Sequence, residues 1–218
     1  MLATVNDLVA LLEELMPSNL AEDWDNVGLM LGRKGKTVKK ILLALDLTKE
    51  VVEQAISQKA DLIVTHHPAI FKKLKRVVDN DWQQDLLLTL AENGIAVYSA
   101  HTNLDCVSTG VNDVLAKLLK LDDADVLDES NGLGRIGVVE KMPLADYAQL
   151  VKASLKADYV TVGDAGKPVH KVAVCGGAGS DLIDIALAKG ADTLVTGDVK
   201  YHSAQQAVFS GLNIIDAG

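Results

Sequence analysis

The sequence predicts an α/β fold built from two related lobes that face each other. Short apolar runs alternate with helical patterns along the chain, and one such series recurs later in matching register. Histidines at the end of a predicted strand mark where chemistry should lie, because ligands of parallel sheets bind beyond the carboxyl ends of the strands.

The elements follow in order. Leu8, Val9, Leu12 and Leu15 share one helical face, with Thr4 or Asn6 as the cap. "KKILLALDL" at residues 39–47 reads as a buried strand, and Thr48 then caps a helix through "KEVVEQAISQKA". "DLIVTHH" is the next strand. "DWQQDLLLTLAENG" is a helix stopped by Gly94, and "IAVYSAH" is a third strand. This β-α-β-α-β series is the signature of a mostly parallel sheet covered by helices. Later, "RIGVVE" and "DYVTVG" are strand candidates around the helix "LADYAQLVKASLK".

Slide the chain along itself until Thr65 falls on Thr196. Lys40 then meets Lys171, Ala55 meets Ala186, Asp61 meets Asp192 and Val64 meets Val195, without a gap. The third strands also correspond, "GIAVYSAH" against "GLNIIDAG". A duplication is the expected cause. The expected lobes are residues 1–125 and 126–218.

The 218 residues suffice for a substantial core, and the composition, 49% apolar and 23% charged, is ordinary for a globular protein. No apolar run approaches the ~18–20 residues of a membrane helix. The N-terminal stretch reads as an amphipathic helix, not a signal peptide, so a cytoplasmic location is expected. Two cysteines give no disulfide framework. A net charge of −9, with no dense run of Lys and Arg evident, argues against general nucleic-acid binding.

The chemistry-bearing group is His66, His67, His101 and Asp105. Two end one predicted strand, and two lie in the loop "SAHTNLD" after the next. Imidazole and carboxylate are ligands for zinc, iron, manganese or nickel. Histidine–aspartate sets suit dinuclear hydrolytic sites, which make hydroxide near neutral pH and polarise a substrate oxygen. The bland alternatives are capping residues or an acid–base pair without metal. In the second copy, Asp198 aligns with His67, and "GDVKYH" adds Lys200 to hold an anion and His202 to shuttle protons. His170 reads as structural. Asp25 and Asn26 read either as a turn or as support for the site. The glycines of "CGGAGSD" read as a tight turn or an anion cradle.

"WDNVGLMLG" at residues 24–32, "THHPAIF", "SAHTNLD" and "TGDVKYHSAQQA" follow one another from near residue 17 to the end. Together they resemble the NIF-three-like dinuclear metal centre family, whose members are often called GTP cyclohydrolase I type 2 homologues. The resemblance implies a pair of divalent metal ions in the cleft between two related lobes, and a ring-shaped homohexamer. It implies that His66, His67, His101 and Asp105 are metal ligands. It also implies a histidine and a glutamate shortly after "DAG"; the sequence given stops at Gly218, which takes the place of His101 in the repeat. The expected function is a metal-dependent hydrolase, acting by metal-bound hydroxide on a small nucleotide-like or cyclic-amide substrate. The alternative is a non-catalytic metal-binding scaffold or interaction protein.

Overall fold

The structure, a computed structural model, describes residues 2–218. The chain divides into two units between Val107 and Ser108, earlier than the expected boundary near residue 125. The reason is the helix α5 (Val111–Leu118). Ala116 and Leu119 at its end are buried with Val139 and Val172 of the second sheet, so this segment belongs to the later core. No helix among the described residues is long and apolar enough to cross a membrane.

The first unit runs α1 (Val5–Leu15), β1 (Gly28–Leu31), β2 (Ile41–Ala44), α2 (Lys49–Ser57), β3 (Leu62–Thr65), α3 (Trp82–Glu92), β4 (Ala96–Ser99) and α4 (Thr102–Cys106). Its sheet has the order β1-β4-β3-β2, with β2, β3 and β4 parallel and β1 antiparallel to β4. Thr4 caps α1 in a capping box with Asp7, and Thr48 caps α2 through the amide of Val51. The strands alternate faces. Leu62, Ala96 and Tyr98 pack beneath α1, while Ile63 and Val97 pack with Val52, Leu86 and Leu90 of α2 and α3. That two-sided burial is why these strands read as continuous apolar runs.

After α5, the second unit continues with β5 (Asp122–Asp128), β6 (Leu133–Met142), α6 (Leu144–Leu155), β7 (Thr161–Gly163), β8 (Val169–Val174), α7 (Ile183–Ala188), β9 (Thr193–Thr196), α8 (Tyr201–Phe209) and β10 (Asn213–Asp216). Its sheet has the order β5-β6-β8-β9-β10-β7.

The repeat is visible in both topology and hydrogen bonds. Strands β7-β10-β9-β8 reproduce β1-β4-β3-β2, including the single antiparallel edge. The Asp61 carboxylate accepts from the amides of Lys39 and Lys40 at 2.8 and 3.2 Å. Asp192 accepts in the same way from His170 and Lys171 at 2.9 and 2.7 Å. Lys40 Nζ donates to the Gln58 carbonyl, and Lys171 Nζ to the matching Lys189 carbonyl. The second sheet differs by the pair β5-β6, which extends it antiparallel beyond β8.

Candidate metal centre

The strand β3 ends in buried Thr65, whose hydroxyl donates to the His67 carbonyl at 2.8 Å. The Ser99 hydroxyl at the end of β4 lies 2.8 Å from Thr65 Oγ1 and accepts the Ala69 amide. These bonds fix the turn in which His66 and His67 sit. The backbone amides of the two histidines still bond back to the Ala44 and Leu45 carbonyls, so the pair prolongs the β2–β3 ladder. His101 follows β4 in the same way and precedes α4, which carries Asp105.

The three imidazoles converge, with ring centroids 5.1, 5.3 and 5.7 Å apart and one ligand nitrogen of each within 4.8 Å of the others. Each Nδ1 has its own partner. His66 Nδ1 bonds the Ala100 carbonyl at 2.9 Å, His67 Nδ1 the Asp46 carboxylate at 2.7 Å, and His101 Nδ1 the Asp25 carboxylate at 2.9 Å. All three partners only accept, so Nδ1 carries the proton and, in the neutral ring, Nε2 keeps its lone pair. Burial holds the His66 imidazole below the usual histidine value, aided by the neighbouring His101 and His67 and opposed by the Ala100 hydrogen bond. Three imidazole nitrogens oriented by outer partners form the kind of donor set that zinc, iron, manganese and nickel accept.

Asp105 stands behind this group, with Oδ1 3.8 Å from His66 Nε2. Burial pushes its carboxyl up to about 6, against the pull of His101 and His67. The 3.8 Å distance brings Asp105 close to His66; its carboxylate is not in the group whose ligand atoms all lie within 4.8 Å of one another, which is His66, His67 and His101.

The side chain of Asp25 is fully buried. Burial pushes its carboxyl up, but bonds from the Thr102 hydroxyl, His101, and the amides of Asn26 and Thr102 hold it below the usual carboxylate range. It is therefore an ionised brace on His101, and the supporting role holds over the plain turn. Asp25→Asn is expected to weaken metal binding by about 10- to 100-fold, the usual cost of losing such an outer partner, measured by competition against a chelating dye. An unchanged affinity would mean that Asp25 serves only the loop.

The other predicted residues belong to the second unit. Lys200 is the residue before α8 and His202 is in its first turn, 5.2 Å from the Tyr201 ring; both are exposed and belong to the second unit. His170 Nδ1 bonds the Val139 carbonyl at 2.7 Å, as a structural histidine would. In "CGGAGSD" the amides turn inward: Gly176 donates to Asn112, and Gly179 to Thr196 and to the Gly177 carbonyl. A Cβ at Gly179 would lie 2.7 Å from both the Cys175 Cβ and the Thr196 Oγ1, so the glycine serves a tight turn.

Two features escaped the sequence reading. Asp46 holds His67 from the end of β2, and no motif marks it. Lys72, Lys73, Lys75 and Arg76 form an exposed run of four cations in five residues directly after Phe71, which corrects the expectation that no dense run exists. A chain-wide charge of −9 hides it. Beside the histidines, Trp24 sits edge-on to His101 at 6.1 Å and to Phe71 at 6.0 Å, with 60% of its surface exposed. Asn26 Nδ2 donates to the Ile70 carbonyl and ties the two aromatic loops together.

The family described as Duf34/NIF3 (NGG1p interacting factor 3) matches residues 3–218. A Clostridium perfringens protein named "GTP cyclohydrolase 1 type 2 homolog" is 38% identical over 98% of this chain and 84% of its own length. A solved Bacillus cereus protein related to NIF3 superposes with a TM-score of 0.93 at 29% identity, over 100% of this chain and 88% of that one. Reduced HcgD from Methanocaldococcus jannaschii gives 0.85 at 32% identity, over 98% and 86%. With its mixed α/β repeat and its strand-end histidines, the chain belongs to the Duf34/NIF3 family.

Proposed function

We propose that the protein is a dinuclear metal-dependent hydrolase acting on a small anionic, nucleotide-like substrate. The observation that carries this reading is the set of three Nδ1 partners, which leaves three Nε2 lone pairs for one centre. His66, His67 and His101, with Asp105, would hold the metal. A bound divalent ion supplies Lewis acidity and activates water. A second ion needs ligands beyond these four. Trp24 and Phe71 offer exposed ring surface for a planar base, and the 72–76 cations offer charge for a phosphate. Lys200 and His202 stand as candidates to hold an anionic group and carry protons, on the alignment of Asp198 with His67 in the repeat. The name of the Clostridium relative, a cyclohydrolase homolog, supports a nucleotide-like substrate.

The test is hydrolysis of purine nucleotides and cyclic amides by metal-loaded and metal-stripped protein. Turnover by the loaded form alone is expected. Trp24→Ala should raise KM about tenfold, in line with ~1–3 kcal/mol for stacking one base. Full activity without metal would sink the hydrolase reading. Bound metal without turnover would favour the second reading, a metal-holding oligomeric scaffold. That reading draws on a different observation, the bare apolar edge of β2.

A further inference from the structure

The segment that follows the paired histidines is pinned at both ends and bare between them. Ala69 is buried; its amide donates to Ser99 Oγ at 3.2 Å, and its carbonyl accepts Gln83 Nε2 at 3.0 Å. The Val78 amide donates to Gln84 Oε1 at 3.2 Å. Both feet are thus tied to consecutive glutamines in the first turn of α3, while the chain swings out between them. This is the form of an Ω-loop, whose ends lie close and which is frequently functional. The crown, residues 71–77, makes no hydrogen bond and no ion pair among the described residues. It holds the four cations Lys72, Lys73, Lys75 and Arg76, all exposed. Backbone that is exposed and unbonded moves at low free-energy cost. The crown also begins beside the candidate metal centre: Phe71 meets the ring of Trp24, and Trp24 meets that of His101.

We propose that residues 71–77 are a strap that folds over a multiply charged anion held at the histidine centre, and so selects ligands by charge. The strap rests on the nucleotide-like reading given above. A ligand closes a loop only by binding the closed state better than the open one. Here that difference is electrostatic. The open crown holds four like charges in water, where they repel one another. A polyanion beneath them replaces that repulsion with charge-assisted hydrogen bonds. A neutral ligand offers no such gain and leaves the strap open. Phe71, edge-on to Trp24, moves with the crown and covers the ring surface on which a base would stack. The feet stay in place, because Ala69, Ile70 and Val78 keep their bonds to Ser99, Asn26 and the two glutamines. Closure then shields the centre from bulk water, as lids do.

Limited trypsin digestion of the metal-loaded protein reads the strap directly, because every cation in the crown is a cleavage site. Fragments ending at residues 72–76, identified by mass spectrometry, are expected early from the free protein. A saturating non-hydrolysable purine nucleoside triphosphate should slow that cleavage about tenfold or more, as expected when an open segment becomes ordered. The uncharged nucleoside should leave the rate unchanged. Lys72→Gln combined with Lys75→Gln should weaken triphosphate binding roughly tenfold, read by tryptophan quenching. Metal content and nucleoside binding should stay at the wild-type level. Triphosphate that binds without slowing cleavage, or binds the double variant as tightly as wild type, would overturn the strap alone. Triphosphate that fails to bind the metal-loaded protein would overturn it together with the nucleotide-like reading. Protection without turnover would uphold the strap and remove only the hydrolysis.

Discussion

His66→Ala is expected to take up no metal under conditions that load the wild type, measured by elemental mass spectrometry on tag-free protein. His66 supplies one of three converging nitrogens, and it is the one closest to Asp105. Its burial keeps the ring neutral at pH 7, so no proton has to leave before an ion binds. Removing it leaves two imidazoles and one carboxylate. The loss of affinity should exceed 100-fold, beyond the ~10- to 100-fold cost of losing an outer partner. The structural cost is small, because the bond lost is one to the Ala100 carbonyl. His202→Ala, outside the histidine cluster, should load like the wild type. Full loading of His66→Ala would dismiss the cluster as the metal site.

The second large effect concerns stability. Asp113→Ala should cost about 3 kcal/mol, the lower end of what breaking a buried ion pair costs. Arg135 is 4% exposed and grips Asp113 with two bonds, Nε at 2.7 Å and Nη2 at 2.9 Å. The Thr109 amide also donates to this carboxylate. Without it, the guanidinium keeps its carbonyl partners in β6 and the turn before it but loses the carboxylate that its Nε and Nη2 grip. The double change Asp113→Leu with Arg135→Met should recover part of the loss. The Arg135 hydrogen bond leads in holding Asp113 below its usual value. The pair therefore stabilises fully above the unfolded value of about 4 and loses its contribution as pH falls through the lower folded value. Urea unfolding by circular dichroism at pH 7 and at lower pH checks both points. An Asp113→Ala variant as stable as wild type at pH 7 would show that the pair contributes nothing net.

Much of the fold was legible because buried parallel strands write themselves as apolar runs, and the runs at residues 62–65 and 96–99 are such strands; the run at 41–44 is a parallel strand too, but it lies at the sheet edge with Ile41 and Leu43 exposed, not buried as expected. The register of the repeat was legible because Asp61 and Asp192 each clamp two amides at a strand entrance, which preserves the residue type. The strand β5 was not legible: aspartates have low strand preference, and here they decorate an edge. The unit boundary was misplaced because α5 shows its allegiance only through Ala116 and Leu119, against residues far along the chain. In the site, histidines at strand ends announce themselves by position. Their supports do not, since Asp25 reaches His101 across most of the first unit and Asp46 sits in what reads as the tail of a strand.

The duplicated scaffold also acts as a comparison that the molecule carries within itself. Where the first half ends its middle strand in His66 and His67, the second ends it in Gly197 and Asp198, yet the strand order and the aspartate clamp are the same. The architecture therefore stands without imidazoles at that turn. Framework and chemistry are separable here. The strand-end loop of either half can change its side chains without dismantling the sheet beneath, and the second half carries a different loop on the same frame.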